Sequence, residues 1–132
     1  MEIAELIRLD TSEISKRVRD AIKAAVKSGE LPNAKYSVTL QRYSGGRSID
    51  VRISNVPFPV FNSEWVLRSE GSRYTEDGNA LIASVEAIRS RWNFNRSDPM
   101  TDYYNVNYYG RTEFEANWRI DQQASIRQAA TA

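Results

Sequence analysis

Two alternating runs of residues on either side of a glycine pair constrain this chain more than any other feature. Apolar side chains stand at every second position, Tyr36, Val38 and Leu40 in the first run and Ile49, Val51 and Ile53 in the second. This period of two is typical of a strand with one buried face. Ser44-Gly45-Gly46-Arg47 separates the runs, and glycine allows the positive φ angles of a tight turn. The sequence therefore predicts an antiparallel hairpin.

Two longer segments have the period of an amphipathic helix. The first runs from about Thr11 to Ser28, with Asp10 and Glu13 at its start in the manner of a capping box and Gly29 at its end. The second runs from about Glu76 to Trp92 and has apolar residues at spacings of four, three and four. Asn62 or Ser63 is expected to cap a short helix between the hairpin and the second long helix.

A third strand is predicted from Thr101 to Tyr109. Alternation there places Tyr104, Val106 and Tyr108 on a core face and the polar and aromatic residues between them on the other face. We expect an α+β fold in one domain, residues 1–132, in which both long helices cover one face of a small antiparallel sheet. The element order is helix, hairpin, short helix, helix, strand and tail. The tail, residues 111–132, has one strong apolar anchor, Ile126, and is expected either to attach loosely or to form a helix.

Composition excludes several classes of function. The chain has no cysteine and no histidine, which removes disulfides, thiolate zinc sites and catalysis by Ser-His-Asp or Cys-His groups. Its 18 basic and 17 acidic residues give a net charge of +1, so no strong overall attraction to nucleic acid is expected. No apolar run reaches the length of a membrane span, and the acidic N-terminus does not resemble a secretory signal. We expect a cytoplasmic protein without a cofactor or a metal.

Three stretches resemble a known family. YSVTLQRYSGGRSIDV, RYTEDGNALIASVEAI and SDPMTDYYNVNYYG, in this order, look like the type twenty-nine large polyvalent protein-associated domain, and the resemblance covers Asp10 to Gly110. Domains of this family occur in proteins of phages, plasmids and conjugative elements. The resemblance implies a protein that travels with mobile DNA and that protects or establishes the incoming element in a host cell without catalysis. Together with the lack of His and Cys, it leads to the hypothesis of an inhibitor of a host defence complex of the anti-CRISPR or anti-restriction type.

The leading hypothesis is therefore a binding protein whose partner is a host protein or protein complex. The predicted contact residues are Tyr103, Asn105, Asn107 and Tyr109, which the alternation places on one strand face. Tyrosine supplies rigid contact area at interfaces. The same alternation also fits the wet face of a half-covered sheet. The sequence does not fix the oligomeric state, and a dimer is compatible with it.

An alternative hypothesis is a nucleic-acid-binding accessory protein of a phage or plasmid. It would use Arg42, Arg47 and Arg52 around the hairpin, with Tyr43 or Tyr36 stacking on bases. The third hypothesis is an enzyme in which Asp98 and Asp102 form an acid-base pair, although nothing in the sequence positions a substrate beside them. Residues 93–98 resemble the start of a calcium loop but lack its glycine and its final glutamate.

Overall fold

The predicted hairpin lies at the centre of the structure, a computed structural model that describes residues 2–94 and 106–131. The strands are β1 (Lys35–Tyr43), β2 (Gly46–Ser54) and β3 (Thr112–Phe114). The helices are α1 (Ile3–Arg8), α2 (Thr11–Ser28), α3 (Ser63–Arg68), α4 (Glu76–Arg89) and α5 (Ala116–Thr131). The predicted α+β class, the hairpin and the two long helices are confirmed.

The sheet has the order β1-β2-β3. β1 and β2 are antiparallel and pair from Lys35 opposite Ser54 to Tyr43 opposite Gly46, which leaves Ser44 and Gly45 as a two-residue turn. Gly45 has a φ of +92°, as the glycine in this turn was expected to have.

The third strand differs from the prediction in position and direction. β3 begins after Gly110 and runs parallel to β2, whereas the sequence predicted an antiparallel strand over residues 101–109. Residues 101–105 lie outside the described part of the chain, and Tyr109 forms only a single bridge to Ser48. The chain crosses from the end of β2 through α3 and α4 before it returns, and a connection of this kind joins parallel strands.

The helix boundaries follow local chemistry. Gly29 ends α2 in the left-handed region, with φ +87°, and its N–H donates to Val26 O. The Oγ1 of Thr75 accepts a hydrogen bond from the N–H of Gly78 at 3.0 Å and caps the start of α4. α4 ends at Arg89, earlier than the predicted Trp92. Asp10 precedes α2 but makes no capping hydrogen bond with its side chain, so the expected capping box does not form.

The core lies between one face of the sheet and the helices. Ile49, Val51 and Ile53 are fully buried on the inner side of β2, and Phe114 extends the same face onto β3. α2 and α4 both pack on this side, with Ile14, Val18, Val85 and Ile88 among their buried residues. Because one face is covered by both helices, residues at the alternate positions of all three strands line an outer face that meets solvent.

Candidate interaction surface

The outer face of the sheet is a shallow, polar groove with a volume of about 540 Å³. We use "outer face" for its lining residues: Gln41, Tyr43, Ser48, Asp50, Arg52, Tyr109, Gly110, Arg111 and Glu113. They come from β1, β2 and β3 and from the segment that leads into β3. The face therefore depends on the pairing of β2 with β3 as well as on the hairpin.

Two exposed tyrosines mark one end of the outer face. Tyr43 and Tyr109 are 48% and 41% exposed, and in the described part of the chain they are the exposed large aromatic side chains. Both rings reach over Gly46. A methyl group at Gly46 would lie 3.2 Å from Cε2 of Tyr43 and 3.3 Å from Cε2 of Tyr109. The absence of a side chain at Gly46 thus lets two tyrosines from distant parts of the sequence stand side by side.

The charges of the outer face are balanced. The Nε of Arg52 lies 3.4 Å from Glu113 Oε1, and its Nη2 lies 4.0 Å from Asp50 Oδ2. Arg111 faces Glu113 at 3.8 Å, and its backbone N–H donates to Asp50 Oδ1 at 2.9 Å. Two arginines and two carboxylates therefore alternate across the face. Such a pattern suits a partner that carries both signs of charge, as a protein surface does, better than a row of phosphates.

A partly buried hydrogen-bond network fixes the segment that carries Tyr109. The Nε of Arg47 donates to the carbonyl of Asn107 at 2.9 Å, and its Nη1 donates to the carbonyl of Leu9 at 2.6 Å. The Nδ2 of Asn107 donates to the carbonyl of Trp92 at 2.8 Å. The backbone N–H of Tyr109 also donates a hydrogen bond to the carbonyl of Arg47 at 2.8 Å. Arg47, which is partly exposed, and Asn107, which is buried, thus hold this segment of the chain in position.

A second polar group lies beneath this segment, at the end of α4. Arg89 is only 5% exposed; it pairs with Glu86 and donates to the carbonyl of Ile49 at 3.2 Å. Tyr108 donates its hydroxyl to the carbonyl of Arg89, and burial raises the pKa of Tyr108 to about 12. Burial alone would raise the pKa of Glu86, but hydrogen bonds from Arg89 and Thr112 outweigh it and lower that pKa. These contacts join α4 to β2 and β3.

The predicted partner-binding residues do not lie together on one surface of the described structure. Tyr109 lies on the outer face, whereas Asn107 is 8% exposed, belongs to the hydrogen-bond network of Arg47 and does not line the outer face. The role of Asn107 as a contact residue stays a prediction. Strict alternation fails there because Asn107 pairs with Phe94 O and Trp92 O instead of joining a strand ladder. Tyr103 and Asn105 lie outside the described residues.

The predicted nucleic-acid residues are divided in the same way. Tyr43 and Arg52 lie on the outer face, but Arg42 and Arg47 point to the side that the helices cover. Arg42 donates to both carboxylate oxygens of Asp10, at 2.8 and 3.0 Å. The three arginines therefore do not form one surface. The chain matches no protein-family model, no curated protein and no solved structure.

Two further observations bear on the site. In residues 2–94 and 106–131 no cluster of three or more acidic side chains is arranged to hold a metal ion. No helix of that part of the chain is both long and apolar enough to cross a lipid bilayer. The predicted acid-base pair, Asp98 and Asp102, lies outside the described residues.

Sequence reasoning missed three of the four charged members of the outer face: Asp50, Arg111 and Glu113. The position of Asp50 could have been predicted, because the alternation of β2 puts it on the same side as Arg52. The positions of Arg111 and Glu113 could not, because nothing in the sequence pattern shows that residues 112–114 pair with β2. Their position depends on the return of the chain from α4.

Proposed function

We propose that this protein is a non-enzymatic binding protein of a mobile genetic element, which acts in the cytoplasm of a host cell and inhibits a host defence complex. The similarity of residues 10–110 to domains of phages, plasmids and conjugative elements supports the mobile-element part of the proposal. The geometry of the outer face supports a protein as the partner.

The observation that carries the binding role is the pair of exposed tyrosines over Gly46. Tyr43 and Tyr109 each present a rigid ring with a hydroxyl group, and the side chains of Arg52 and Glu113 lie on the same face. A tyrosine pair beside a mixed-charge groove is typical of an interface centre with a polar rim. The hydrogen-bond network of Arg47 and Asn107 keeps the segment of Tyr109 in place before a partner arrives, which reduces the entropic cost of binding.

A phage-plating assay tests the defence role. Cells that carry a restriction or CRISPR-Cas system would express the protein, and the plating efficiency of a targeted phage would be counted across a panel of such systems. We expect the wild-type protein to raise the plating efficiency on at least one system. The double variant Tyr43→Ser/Tyr109→Ser should reduce that increase at least about tenfold, since interface tyrosines contribute about 2 kcal/mol or more to binding.

A matched control is available on another part of the surface. Leu67 on α3 is 42% exposed and does not line the outer face, so Leu67→Ser should protect as well as the wild type does. Circular dichroism would verify that all variants fold. No protection on any system, or equal protection by the tyrosine double variant, would overturn the proposal.

Titration of the protein into labelled DNA and RNA distinguishes the proposed function from the alternative, a nucleic-acid-binding accessory protein. A nucleic-acid-binding protein would bind with an affinity that falls steeply as salt is raised. We expect weak or undetectable binding at moderate salt, because the arginines of the outer face already face carboxylates. Salt-sensitive binding that is lost in Arg52→Ala would favour the accessory-protein hypothesis instead.

A further inference from the structure

A second groove lies away from the outer face, between α2 and β1. Its volume is about 390 Å³, and its apolar lining includes Ile22, Val26 and the ring of Tyr36. The hydroxyl of Tyr36 donates to the carbonyl of Pro32 at 2.8 Å, so the ring offers the groove its apolar surface. Burial raises the pKa of the Tyr36 hydroxyl to about 12. We call this feature the helix-strand groove.

Three cations follow the helical wall of the helix-strand groove. Arg19, Lys23 and Lys27 occupy successive turns of α2, and no carboxylate is among the residues that line the groove. Within residues 2–94 and 106–131, neither Lys23 nor Lys27 forms an ion pair. On a chain with a net charge of only +1, this is a local concentration of uncompensated positive charge over an apolar floor.

The opposite wall is an open strand edge. The N–H groups of Ile49 and Val51 donate to Tyr109 O and Arg111 O, so the backbone groups of these two residues face β3. Their partners across the hairpin, Leu40 and Val38, therefore direct their own N–H and C=O groups away from β2. On that edge the carbonyl of Val38 accepts a hydrogen bond from Nη2 of Arg19 at 3.0 Å. Open edges of this kind are templates for an added strand.

We propose that the helix-strand groove binds an extended acidic peptide segment of a partner protein, which adds to β1 as a further strand. Backbone groups of the peptide would pair with the edge of β1, and its amide would take the place of Arg19 at the carbonyl of Val38. Arg19 would then be released to pair with a carboxylate. The proposal concerns a surface separate from the outer face and does not rest on the proposed function.

The spacing of the cations fits such a ligand. Side chains on one face of an extended chain repeat every ~6.6 to 6.8 Å, and residues four apart on a helix repeat every ~6 Å. Acidic residues at alternate positions would therefore meet Arg19, Lys23 and Lys27 in turn. The apolar floor of the groove would contact the aliphatic parts of the peptide side chains. A phosphate backbone has no such aliphatic groups to place there.

Peptide selection tests the proposal without knowledge of the natural partner. A displayed library of random peptides of about eight residues would be selected on the purified full-length protein. We expect the bound peptides to be enriched in Asp or Glu at alternate positions. Affinities of the selected peptides would then be measured by fluorescence anisotropy for the wild type, for Lys23→Glu/Lys27→Glu and for a control variant.

The control keeps the same change of charge outside the groove. Lys16→Glu/Arg127→Glu alters two exposed cations on α2 and α5 that do not line the helix-strand groove. We expect the groove variant to lose at least about tenfold in affinity and the control to lose much less, because close charges act more strongly than distant ones. Equal losses in both variants, or selected peptides without acidic residues, would overturn the proposal.

Hydrogen exchange distinguishes strand addition from simple charge attraction. Binding of a selected peptide should slow exchange of the Leu40 amide, which faces the open edge, and leave the Ile49 amide unchanged, since that amide already donates to Tyr109 O. Dodecanoate and a single-stranded oligonucleotide would be titrated as other anions. Binding of either at Lys23 and Lys27 without slowed exchange at Leu40, or peptide binding that leaves Leu40 unprotected, would contradict the inference.

Discussion

At the scale of single residues, Gly110 is the glycine at which an added Cβ atom would meet the closest neighbour. Its φ is +133°, and a Cβ atom there would lie 2.1 Å from the carbonyl oxygen of Ile49. The neighbouring backbone bonds, from Ile49 N–H to Tyr109 O and from Val51 N–H to Arg111 O, measure 2.9 and 3.0 Å. Gly110 therefore allows the close approach through which Tyr109 and Arg111 reach the outer face.

Replacement of Gly110 by alanine should be strongly destabilising. The added methyl group would push residues 109–111 away from β2 and break the bonds of Ile49 and Val51, so we expect Gly110→Ala to lower the free energy of unfolding by about 3 kcal/mol. Guanidinium titration followed by circular dichroism would measure it.

Gly29→Ala is the matched control for that substitution. Gly29 also has a positive φ, +87°, but nothing lies within 4 Å of the position of its Cβ. Only the conformational penalty of about 1 to 2 kcal/mol applies there. If the two variants lost the same stability, steric contact with Ile49 would not be the reason that position 110 carries glycine.

At the scale of elements, α5 is less deeply buried than the other two long helices, α2 and α4. None of its residues is fully buried, and Ile120 is 64% exposed. Its contacts begin at Trp118, whose ring centroid lies 5.6 Å from that of Phe114, and continue to Ile126, which packs on the core. The carboxylate of Glu115 accepts hydrogen bonds from the N–H groups of Asn117 and Trp118 and so caps the first turn.

We expect α5 to open without unfolding of the rest of the molecule. Hydrogen exchange under native conditions should give amides in the middle of α5 an opening free energy at least about 2 kcal/mol below that of amides in α2, which buries Ile14 and Val18 completely. The α2 amides serve as the internal reference in the same sample. Equal values for both helices would mean that α5 unfolds together with the core.

Sequence patterns anticipated the elements unevenly. The hairpin and α2 formed where predicted, because two alternating runs around a glycine turn and a helix that ends at Gly29 are encoded locally. β3 was not predicted at residues 112–114, because its pairing with β2 joins segments that are distant in the chain. Asn107 and Tyr108 depart from strict alternation, because both are buried and hydrogen-bonded to the end of α4 and the turn after it. Local alternation does not reveal such contacts between distant segments.

At the scale of the whole molecule, stability should depend on pH at both ends of the range. Asp10, Glu86 and Glu115 have a lowered pKa in the folded protein, and burial raises the pKa of Tyr36 and Tyr108 to about 12 from an ordinary value of 10.0. At Asp10, burial favours a higher pKa, but the charge of Arg42 outweighs it, and the N–H groups of Thr11 and Ser12, which lie near the carboxylate without capping α2, act in the same direction as Arg42. At Glu115 the lowering comes from the backbone N–H groups of Asn117 and Trp118.

The direction of both effects follows from proton linkage. A carboxyl group with a lowered folded pKa stabilises the fold fully above its unfolded value, 3.8 for Asp10 and 4.5 for Glu86, and that contribution is lost as the pH falls through the folded value. A tyrosine with a raised pKa stabilises the fold fully below 10.0, and that contribution is lost as the pH rises toward about 12. A plateau between these limits is expected.

Denaturant titration from about pH 7 to about pH 3 would test the acid limb. We expect the unfolding free energy to fall over this range and Glu86→Gln to reduce the slope, because glutamine cannot gain a proton. Glu70→Gln, at an exposed turn, is the control and should keep the wild-type slope. An unchanged slope in Glu86→Gln would show that the bonds from Arg89 and Thr112 to this carboxylate do not contribute to acid sensitivity.

The sequence by itself determined the hairpin, both long helices and the α+β class, because alternation, helical period and glycine positions act over a few neighbouring residues. It also determined the absence of thiol and imidazole chemistry. Only the tertiary structure decided that β3 pairs with β2 in parallel, that Arg47 is hydrogen-bonded to Asn107, and that Tyr43 and Tyr109 meet over Gly46. These features depend on contacts between residues 60 or more positions apart in the chain, and no local pattern encodes such contacts.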